Sequence, residues 1–142
     1  MSGTPPPIRP SSSNSHILII DDEDNLRYIM SNILELNNYV VTAVDNGRVA
    51  LEKLQTNAYD LILCDINMPD MNGREFFDKL RSELDMAHYR ARVVFITGDV
   101  LQKETRTFLE QAQAPCLHKP FDIADLLQVV QAKLNGSTGD SA

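Results

Sequence analysis

Residues 60–73, DLILCDINMPDMNG, contain the stretch that decides the fold, a short apolar run that ends at Asp65 and is followed by a polar loop. The run LILC is apolar on both faces of an extended chain, a pattern that antiparallel strands with one solvent-facing surface rarely have. We therefore predict a central strand of a parallel sheet at residues 60–64, with Asp65 just beyond its carboxyl end.

Similar short runs recur along the chain and alternate with stretches of helical spacing. Alternation of this kind requires right-handed crossovers and helices on both faces of the sheet. We predict an α/β fold, a doubly wound three-layer sandwich with the element order (βα)₅. The other four predicted strands are residues 16–20, 39–44, 92–96 and 116–118.

Apolar residues three and four positions apart predict five helices. Asp24 is placed to cap the first of them, and Gly47 and Gly73 lie where loops enter the second and third. The apolar stripes run from Leu26 to Leu34, Val49 to Leu54, Phe76 to Leu84, Val100 to Leu109 and Ile123 to Leu134.

The length and the two ends of the chain predict one domain between two tails. A chain of 142 residues is about one domain long, so we expect no second folded unit. Residues 1–15 are rich in proline and serine and residues 135–142 in glycine, serine and aspartate, and such segments cannot bury enough apolar surface to fold. The predicted domain therefore spans residues 16–134.

Composition and charge exclude several classes of function. The net charge of −7 has the wrong sign for binding nucleic-acid phosphates. No apolar run approaches the roughly 20 residues that cross a bilayer, and no signal-peptide pattern opens the chain, so we expect a cytoplasmic protein without membrane contact. Cys64 and Cys116 form no CxxC or Cys/His cluster, and we predict two buried free thiols.

Acidic, hydroxyl and amino side chains follow four of the five predicted strands. In open parallel sheets the functional site lies at the carboxyl ends of the strands. Carboxylates that meet there repel one another, and a hard cation such as Mg²⁺, which prefers oxygen ligands, relieves the repulsion. These side chains are Asp21, Asp22, Glu23, Asp65, Thr97, Asp99 and Lys119.

The same residue types support phosphoryl transfer. A carboxylate beside Mg²⁺ can attack phosphorus and form an acyl phosphate. Lys119 would offer a fixed positive charge to a phosphoryl oxygen and Thr97 a hydroxyl donor. Pro120 restricts the backbone next to the lysine and permits a cis peptide bond there.

Four segments, ILIIDDEDNLRYIM, LILCDINMPDMNG, VVFITGD and HKPF, resemble the receiver domain of two-component response regulators. The resemblance covers Ile17 to about Leu134 and implies a flavodoxin-like fold with strand order 2-1-3-4-5. It also implies Mg²⁺-dependent transfer of a phosphoryl group from a histidine kinase or a histidine phosphotransfer protein. The chain would then be a signalling module rather than an enzyme with an external substrate.

The resemblance assigns a role to each matching position. Asp65 corresponds to the phosphoacceptor, Thr97 to the switch hydroxyl and Lys119 to the lysine that holds the phosphoryl group. Asp22 corresponds to the direct Mg²⁺ ligand, Asp21 to a ligand acting through water, and Asn67 to the position whose carbonyl binds the metal alongside Asp65. Met68, Pro69 and Gly73 correspond to the loop that shapes the pocket.

The resemblance also implies a signalling surface formed by helix 4, strand 5 and helix 5, which would bind an unidentified downstream protein or a second copy of the chain. The Pro/Ser-rich tail is similar to an interdomain linker. The chain is therefore either a stand-alone regulator or a receiver taken from a larger regulator or a hybrid kinase.

Cys116 departs from the family pattern, which often has an aromatic residue three positions before the lysine. A thiol cannot report the active state by a large rotamer change, so we expect the switch to depend on the loop after Thr97. His118 lies on the same strand face, and we expect it to be exposed. Asn67 and Asp99 lie beside the path of a hydrolytic water and predict a short-lived acyl phosphate.

Three alternatives remain open from the sequence alone. A phosphatase of the haloacid dehalogenase class lacks support, because the DxDx[TV] motif is incomplete and no acidic pair follows Lys119. A flavodoxin-type FMN binder would place phosphate beside the acidic turn DDEDN, which would repel it. The third alternative is a degenerate receiver that serves only as a docking module.

Overall fold

The computed structural model describes residues 15–98 and 102–139, apart from the side chains of residues 84, 85 and 136–139. Strands and helices alternate along this part of the chain, as predicted. The strands are β1 (His16–Ile20), β2 (Val40–Val44), β3 (Leu61–Asp65), β4 (Val93–Thr97) and β5 (Cys116–His118). The helices are α1 (Asp24–Leu36), α2 (Gly47–Thr56), α3 (Gly73–Ser82), α4 (Lys103–Ala112) and α5 (Ile123–Gly139), and a 3-10 segment (Leu84–Arg92) lies between α3 and β4.

The five strands form one parallel sheet in the order β2-β1-β3-β4-β5. This confirms the doubly wound α/β fold and the strand order that the resemblance implied. The winding direction reverses between β1 and β3, which pair from Ile17 with Leu61 to Ile20 with Cys64. The carboxyl ends of β1 and β3 therefore lie side by side at the reversal point, where ligands of such sheets bind.

Alternate side chains of the sheet enter two separate apolar cores. Ile17, Ile19 and Leu63 pack with side chains from α1 and α5 on one face. Leu18 and Ile62 pack on the other face with side chains from α2, α3 and the 3-10 segment, and α4 joins this core through Phe108 and Leu109. Both faces of the sheet are covered, which explains why β3 and β4 are buried at every position.

Several predicted ends of strands and helices differ from those in the structure. The predicted strands at residues 39–44, 60–64 and 92–96 each begin one residue too early. The last two also end one residue too early, so Asp65 and Thr97 are the last residues of β3 and β4 rather than the first of the following loops. Asp24 is not the cap of α1: Glu23 occupies that position without a side-chain capping bond, and Asp24 lies in the first helical turn paired with Arg27. A carboxylate is also stabilised there by the helix dipole.

The third and fifth helices differ most from the prediction. α3 ends at Ser82, so Leu84 belongs to the 3-10 segment, which apolar periodicity did not indicate. α5 continues to Gly139, five residues past the predicted end at Leu134, so residues 135–139 of the predicted tail are helical. Gly136 costs a helix only about 1 kcal/mol, and no proline stops it. The division of the chain into one domain and two tails otherwise stays a prediction.

Val100 and Leu101, assigned to the fourth helix, lie outside the described residues, as do Asp99 and residues 1–14. Across the described residues, no helix combines the length and the apolar character needed to span a membrane.

Gly73 brings α3 against the end of β3. Its N–H donates to the carbonyl of Ile66 at 2.8 Å. A Cβ at this position would lie 2.8 Å from Ile66 Cα and 3.0 Å from the carbonyl oxygen of Asp65, both of which are backbone atoms. The loop of residues 66–72 therefore closes tightly only because residue 73 lacks a side chain.

We expect Gly73→Ala to lower the free energy of unfolding by roughly 1–3 kcal/mol, since the new methyl group displaces backbone atoms rather than a flexible side chain. Urea unfolding followed by circular dichroism measures this. Gly98→Ala is the matched control, because among the described residues its Cβ would meet only Lys119 Cβ, at the ordinary contact distance of 3.8 Å. Equal stability of the two variants would contradict the proposed role of Gly73.

Candidate functional site

The carboxyl edge of the sheet gathers side chains from four strands. Asp21 directly follows β1, Asp65 ends β3, Thr97 ends β4 and Lys119 directly follows β5. Backbone hydrogen bonds anchor Asp21 and Lys119 to the neighbouring strands. Asp21 N donates to Val44 O of β2 at 3.1 Å, and Lys119 N donates to Thr97 O of β4 at 2.8 Å. The sequence-predicted convergence of these residues is therefore observed.

Three carboxylates lie close enough to share one cation. One oxygen from each of Asp21, Asp22 and Asp65 lies within 4.8 Å of the others. Asp21 is fully buried and Asp65 is 3% exposed, whereas Asp22 is exposed. The cluster is thus open to solvent on the side of Asp22 and closed beneath.

Lys119 is the cation of this cluster. Its Nζ lies 3.1 Å from Asp65 Oδ2, 3.1 Å from Glu23 Oε1 and 3.7 Å from Asp21 Oδ2. The Lys119–Pro120 peptide bond is cis. One ammonium therefore faces three of the four carboxylates at this edge, and the negative charge of the group exceeds the positive.

Burial and mutual repulsion shift the protonation of the acids. Burial raises the pKa of Asp21 to about 6, with the charge of Asp65 adding to the effect and the N–H of Glu23 and the charge of Lys119 opposing it. Burial also raises the pKa of Asp65, against the N–H of Asn67 and the ammonium of Lys119. Burial alone would lower the pKa of Lys119, but the carboxylates of Asp65 and Asp21 raise it above its usual value.

One buried oxygen in the cluster accepts no hydrogen bond. Asp21 Oδ1 accepts from the N–H of Glu23 at 2.8 Å and Asp65 Oδ1 accepts from the N–H of Asn67 at 3.0 Å, but Asp21 Oδ2 has no hydrogen-bond partner among the described residues. Buried polar atoms are nearly always satisfied, and exceptions point to a ligand, a water or an ion. The carboxylates of Asp21, Asp22 and Asp65 therefore fit a hard divalent cation.

The remaining sequence-predicted residues lie on the strands and loops next to those that carry the cluster. Thr97 is buried at the end of β4, and Asn67 is exposed in the loop after β3. Cys116 is half-buried and His118 is exposed, so the predicted exposure of His118 is confirmed. Both cysteines are free thiols, but only Cys64 is fully buried, and the prediction of two buried thiols is therefore wrong for Cys116.

The sequence analysis assigned no contact to Glu23, which it placed at this edge, and did not identify Arg27. Glu23 binds Lys119, and its place as the third acid of the run DDED was the available signal. Arg27 donates from its guanidinium to the backbone carbonyl of Asp21 at 2.8 Å. A contact between a side chain and a backbone atom six residues away leaves no sequence pattern, so Arg27 could not have been found in advance.

Comparisons with known proteins agree with this fold. Residues 17–131 match the family model of the response regulator receiver domain. The response regulator receiver protein CpdR of Brucella abortus is 33% identical over 118 residues, which cover 83% of this chain and 95% of CpdR. The chain belongs to the response regulator receiver domain family, whose members act in two-component signalling.

Two solved structures show the same architecture. The chemotaxis protein CheY4 of Vibrio cholerae is 30% identical with a TM-score of 0.77, and the match covers 86% of this chain and all of that one. The receiver domain of a sensor histidine kinase from Pseudomonas aeruginosa, which holds a magnesium ion in its active site cleft, is 25% identical with a TM-score of 0.76 over 87% and 99% of the two chains.

Several relatives are much longer than the matched region. The chain spans 13% of the sensor histidine kinase GacS of Pseudomonas protegens, which is 32% identical. It spans 51% of the response regulator ArlR of Staphylococcus saprophyticus, which is 34% identical. Among these relatives the receiver domain occurs alone, in a longer regulator and in a kinase.

We expect Asp21→Asn to stabilise the protein when no divalent cation is present. The pKa of Asp21 is about 6 in the folded state and 3.8 in the unfolded state, so folding favours the protonated carboxyl. The free energy of unfolding of the wild type therefore falls as the pH rises from about 4 to 6. Above that range the buried, ionised Asp21 lowers it by the full amount, on the order of 3 kcal/mol.

Urea unfolding in EDTA tests this between pH 4 and pH 8. The free energy of unfolding of the variant should exceed that of the wild type most at pH 7 to 8, and the difference should shrink as the pH falls below about 6. Asp78→Asn, at an exposed position of α3, serves as the control, and its stability should depend on pH as that of the wild type does. A wild type more stable than Asp21→Asn at pH 7.5 would contradict the unfavourable burial of this carboxylate.

Proposed function

We propose that this chain accepts a phosphoryl group on Asp65 from the phosphohistidine of a histidine kinase or a histidine phosphotransfer protein. The observation that carries the proposal is the contact of Lys119 Nζ with Asp65 Oδ2 at 3.1 Å inside a cluster whose carboxylates outnumber its cations. Structural ion pairs balance charge, whereas this edge keeps an excess of buried negative charge that stabilises nothing by itself.

In the proposed step, a carboxylate oxygen of Asp65 attacks phosphorus while the bond from phosphorus to the partner's histidine nitrogen breaks. The bonding electron pair stays on that nitrogen, and Asp65 becomes an acyl phosphate. The ammonium of Lys119 and the N–H of Asn67 favour the ionised carboxylate that this attack requires. Lys119 can then balance charge on the phosphoryl oxygens, since such transfer needs charge neutralisation more than acid or base catalysis.

The ligand set for Mg²⁺ in this proposal is Asp21, Asp22, Asp65 and the backbone carbonyl of Asn67. The unsatisfied Oδ2 of the buried Asp21 supports it, because a cation would satisfy that atom. Bound Mg²⁺ would neutralise charge on the carboxylates and on the incoming phosphoryl oxygens. The Pseudomonas aeruginosa receiver domain, a relative with magnesium in its cleft, supports the same assignment.

The proposed switch joins Thr97 to the signalling surface. A phosphoryl group adds about −1.5 to −2 charges at neutral pH, which draws the Thr97 hydroxyl and Lys119 toward Asp65. The affected surface would be α4, β5 and α5, which would bind a downstream protein or a second copy of the chain. The half-buried Cys116 is too small to signal by a ring rotation, so the backbone that follows Thr97 carries the change.

A docking module that never accepts phosphate is the remaining alternative within the family. The phosphatase and FMN-binding alternatives lose their basis with the family assignment. The docking alternative differs from the proposal in one respect, because it requires no chemistry at Asp65.

We expect Mg²⁺ with beryllofluoride, a phosphoryl mimic, to shift amide resonances of the wild type around Asp65, Thr97 and Lys119 and along α4 and β5. Asp65→Asn should show no such shifts, since it cannot form the adduct. Asp70→Asn, an exposed acid in the loop after β3, is the matched control and should respond like the wild type. Identical shifts in the wild type and Asp65→Asn, or none in either, would favour the docking alternative.

We expect the acyl phosphate to be short-lived. The exposed side chain of Asn67 leaves the phosphoryl group open to water, and no large apolar side chain at that position excludes it. After loading with acetyl phosphate and rapid desalting into Mg²⁺, phosphorylated protein measured on phosphate-affinity gels should disappear within hours. Phosphoprotein that persists overnight would show that water is excluded from the site.

A further inference from the structure

A groove that lies apart from the acidic cluster runs between α3, the 3-10 segment and α4, and Lys133 of α5 also lines it. Its volume is about 1030 Å³, slightly above the roughly 300–1,000 Å³ typical of small-molecule sites. None of its lining residues belongs to the site at the carboxyl edge of the sheet. The groove exists because the 3-10 segment forms a third wall beside the two helices.

The floor of the groove is apolar. Phe77 and Phe108 meet edge to face with ring centroids 5.8 Å apart. Ala87, Ala91 and Ala112 also line the groove and add apolar surface beside the two rings. An occupant with one or two apolar side chains could therefore bury them here.

The rim of the groove is basic although the whole chain carries a net charge of −7. Among the side chains that the structure describes, five of the 13 lysine and arginine residues of the chain line the groove, against two acids, Asp78 and Glu104. The five basic residues come from every surrounding element and are Arg74, Arg81, Arg90, Lys103 and Lys133.

Most of this positive charge is available to a partner. Arg81, Arg90 and Lys103 are exposed, and in the part of the chain that the structure describes they enter no ion pair. Arg74 is held in place, because its guanidinium lies 5.8 Å above the Phe108 ring and donates to Thr105 Oγ1 at 3.4 Å. A preordered arginine on an aromatic floor, ringed by exposed cations, is typical of a surface that recognises acidic groups.

We propose that this groove docks an acidic segment of a partner protein that carries apolar anchor residues. Charge complementarity selects the occupant, since the basic rim requires acidic side chains and the aromatic floor requires apolar ones. A free phosphate compound would leave the floor uncovered. A second copy of the chain is the competing occupant, and a dependence of the groove resonances on protein concentration would reveal it.

The test uses a synthetic 14-residue peptide rich in glutamate with two leucines four positions apart, titrated into the isotope-labelled full chain at low salt. Saturable amide shifts should appear in residues 74–91 and 103–113. The variant Arg81→Glu/Arg90→Glu/Lys103→Glu should bind at least about tenfold more weakly, because charges that attract become charges that repel. The matched control Arg48→Glu/Lys53→Glu/Lys79→Glu makes the same charge change at exposed positions outside the groove and should stay within about twofold of the wild type.

Three further samples complete the test. A peptide with serine in place of the leucines should bind clearly more weakly, and a peptide with lysine in place of the glutamates should not bind. The proposal is overturned if the acidic peptide gives no saturable shifts, if both triple variants weaken equally, or if the serine peptide or inorganic triphosphate binds as tightly. It is also overturned if the groove resonances shift with protein concentration alone, because the occupant is then a second copy of the chain.

Discussion

The structure of the site depends on one ammonium group that faces more carboxylates than it can neutralise. Lys119 lies within 4 Å of the carboxylates of Asp21, Glu23 and Asp65, and Asp22 adds a fourth acid nearby. Two of these acids are buried, and burial raises the pKa of both. A fold that tolerates this arrangement without a cation is less stable than it would be with neutral side chains. The excess negative charge therefore fits a cation-binding role, and the rest of the fold holds the carboxylates together despite their repulsion.

The doubly wound sheet holds these acidic side chains in place. Backbone bonds join the end of β1 to β2 (Asp21 to Val44), the end of β3 to β4 (Ile66 to Ile96) and the end of β5 to β4 (Lys119 to Thr97), while β1 pairs directly with β3. The two apolar cores lie below this edge on opposite faces of the sheet. The basic groove lies beside α3, the 3-10 segment and α4, with Lys133 of α5 also lining it, and shares no lining residue with the acidic cluster. Phosphoryl chemistry and the proposed docking of an acidic segment therefore use different parts of the same scaffold.

Much of the fold could be predicted from the sequence. Strands apolar on both faces, such as residues 61–64, indicated a parallel sheet, and the residues after each strand indicated the acidic edge. The strand order was not contained in periodicity and came from the resemblance of whole motifs. The 3-10 segment was missed because its nine residues follow neither helical nor strand spacing. The contacts of Glu23 and Arg27 were missed because they depend on side-chain rotamers and backbone positions that only the folded chain defines. The basic groove was missed for a related reason, since its cations are scattered from Arg74 to Lys133 and meet only in three dimensions.

Titration of the metal-free protein with Mg²⁺, followed by amide resonances, tests the central claim most directly. The excess of carboxylates around Lys119 predicts saturable binding at one site, with shifts centred on residues 21–23 and 65–67, and loss of saturation in Asp21→Asn/Asp22→Asn. Shifts that drift linearly with Mg²⁺ concentration, or equal saturation in that double variant, would contradict the account.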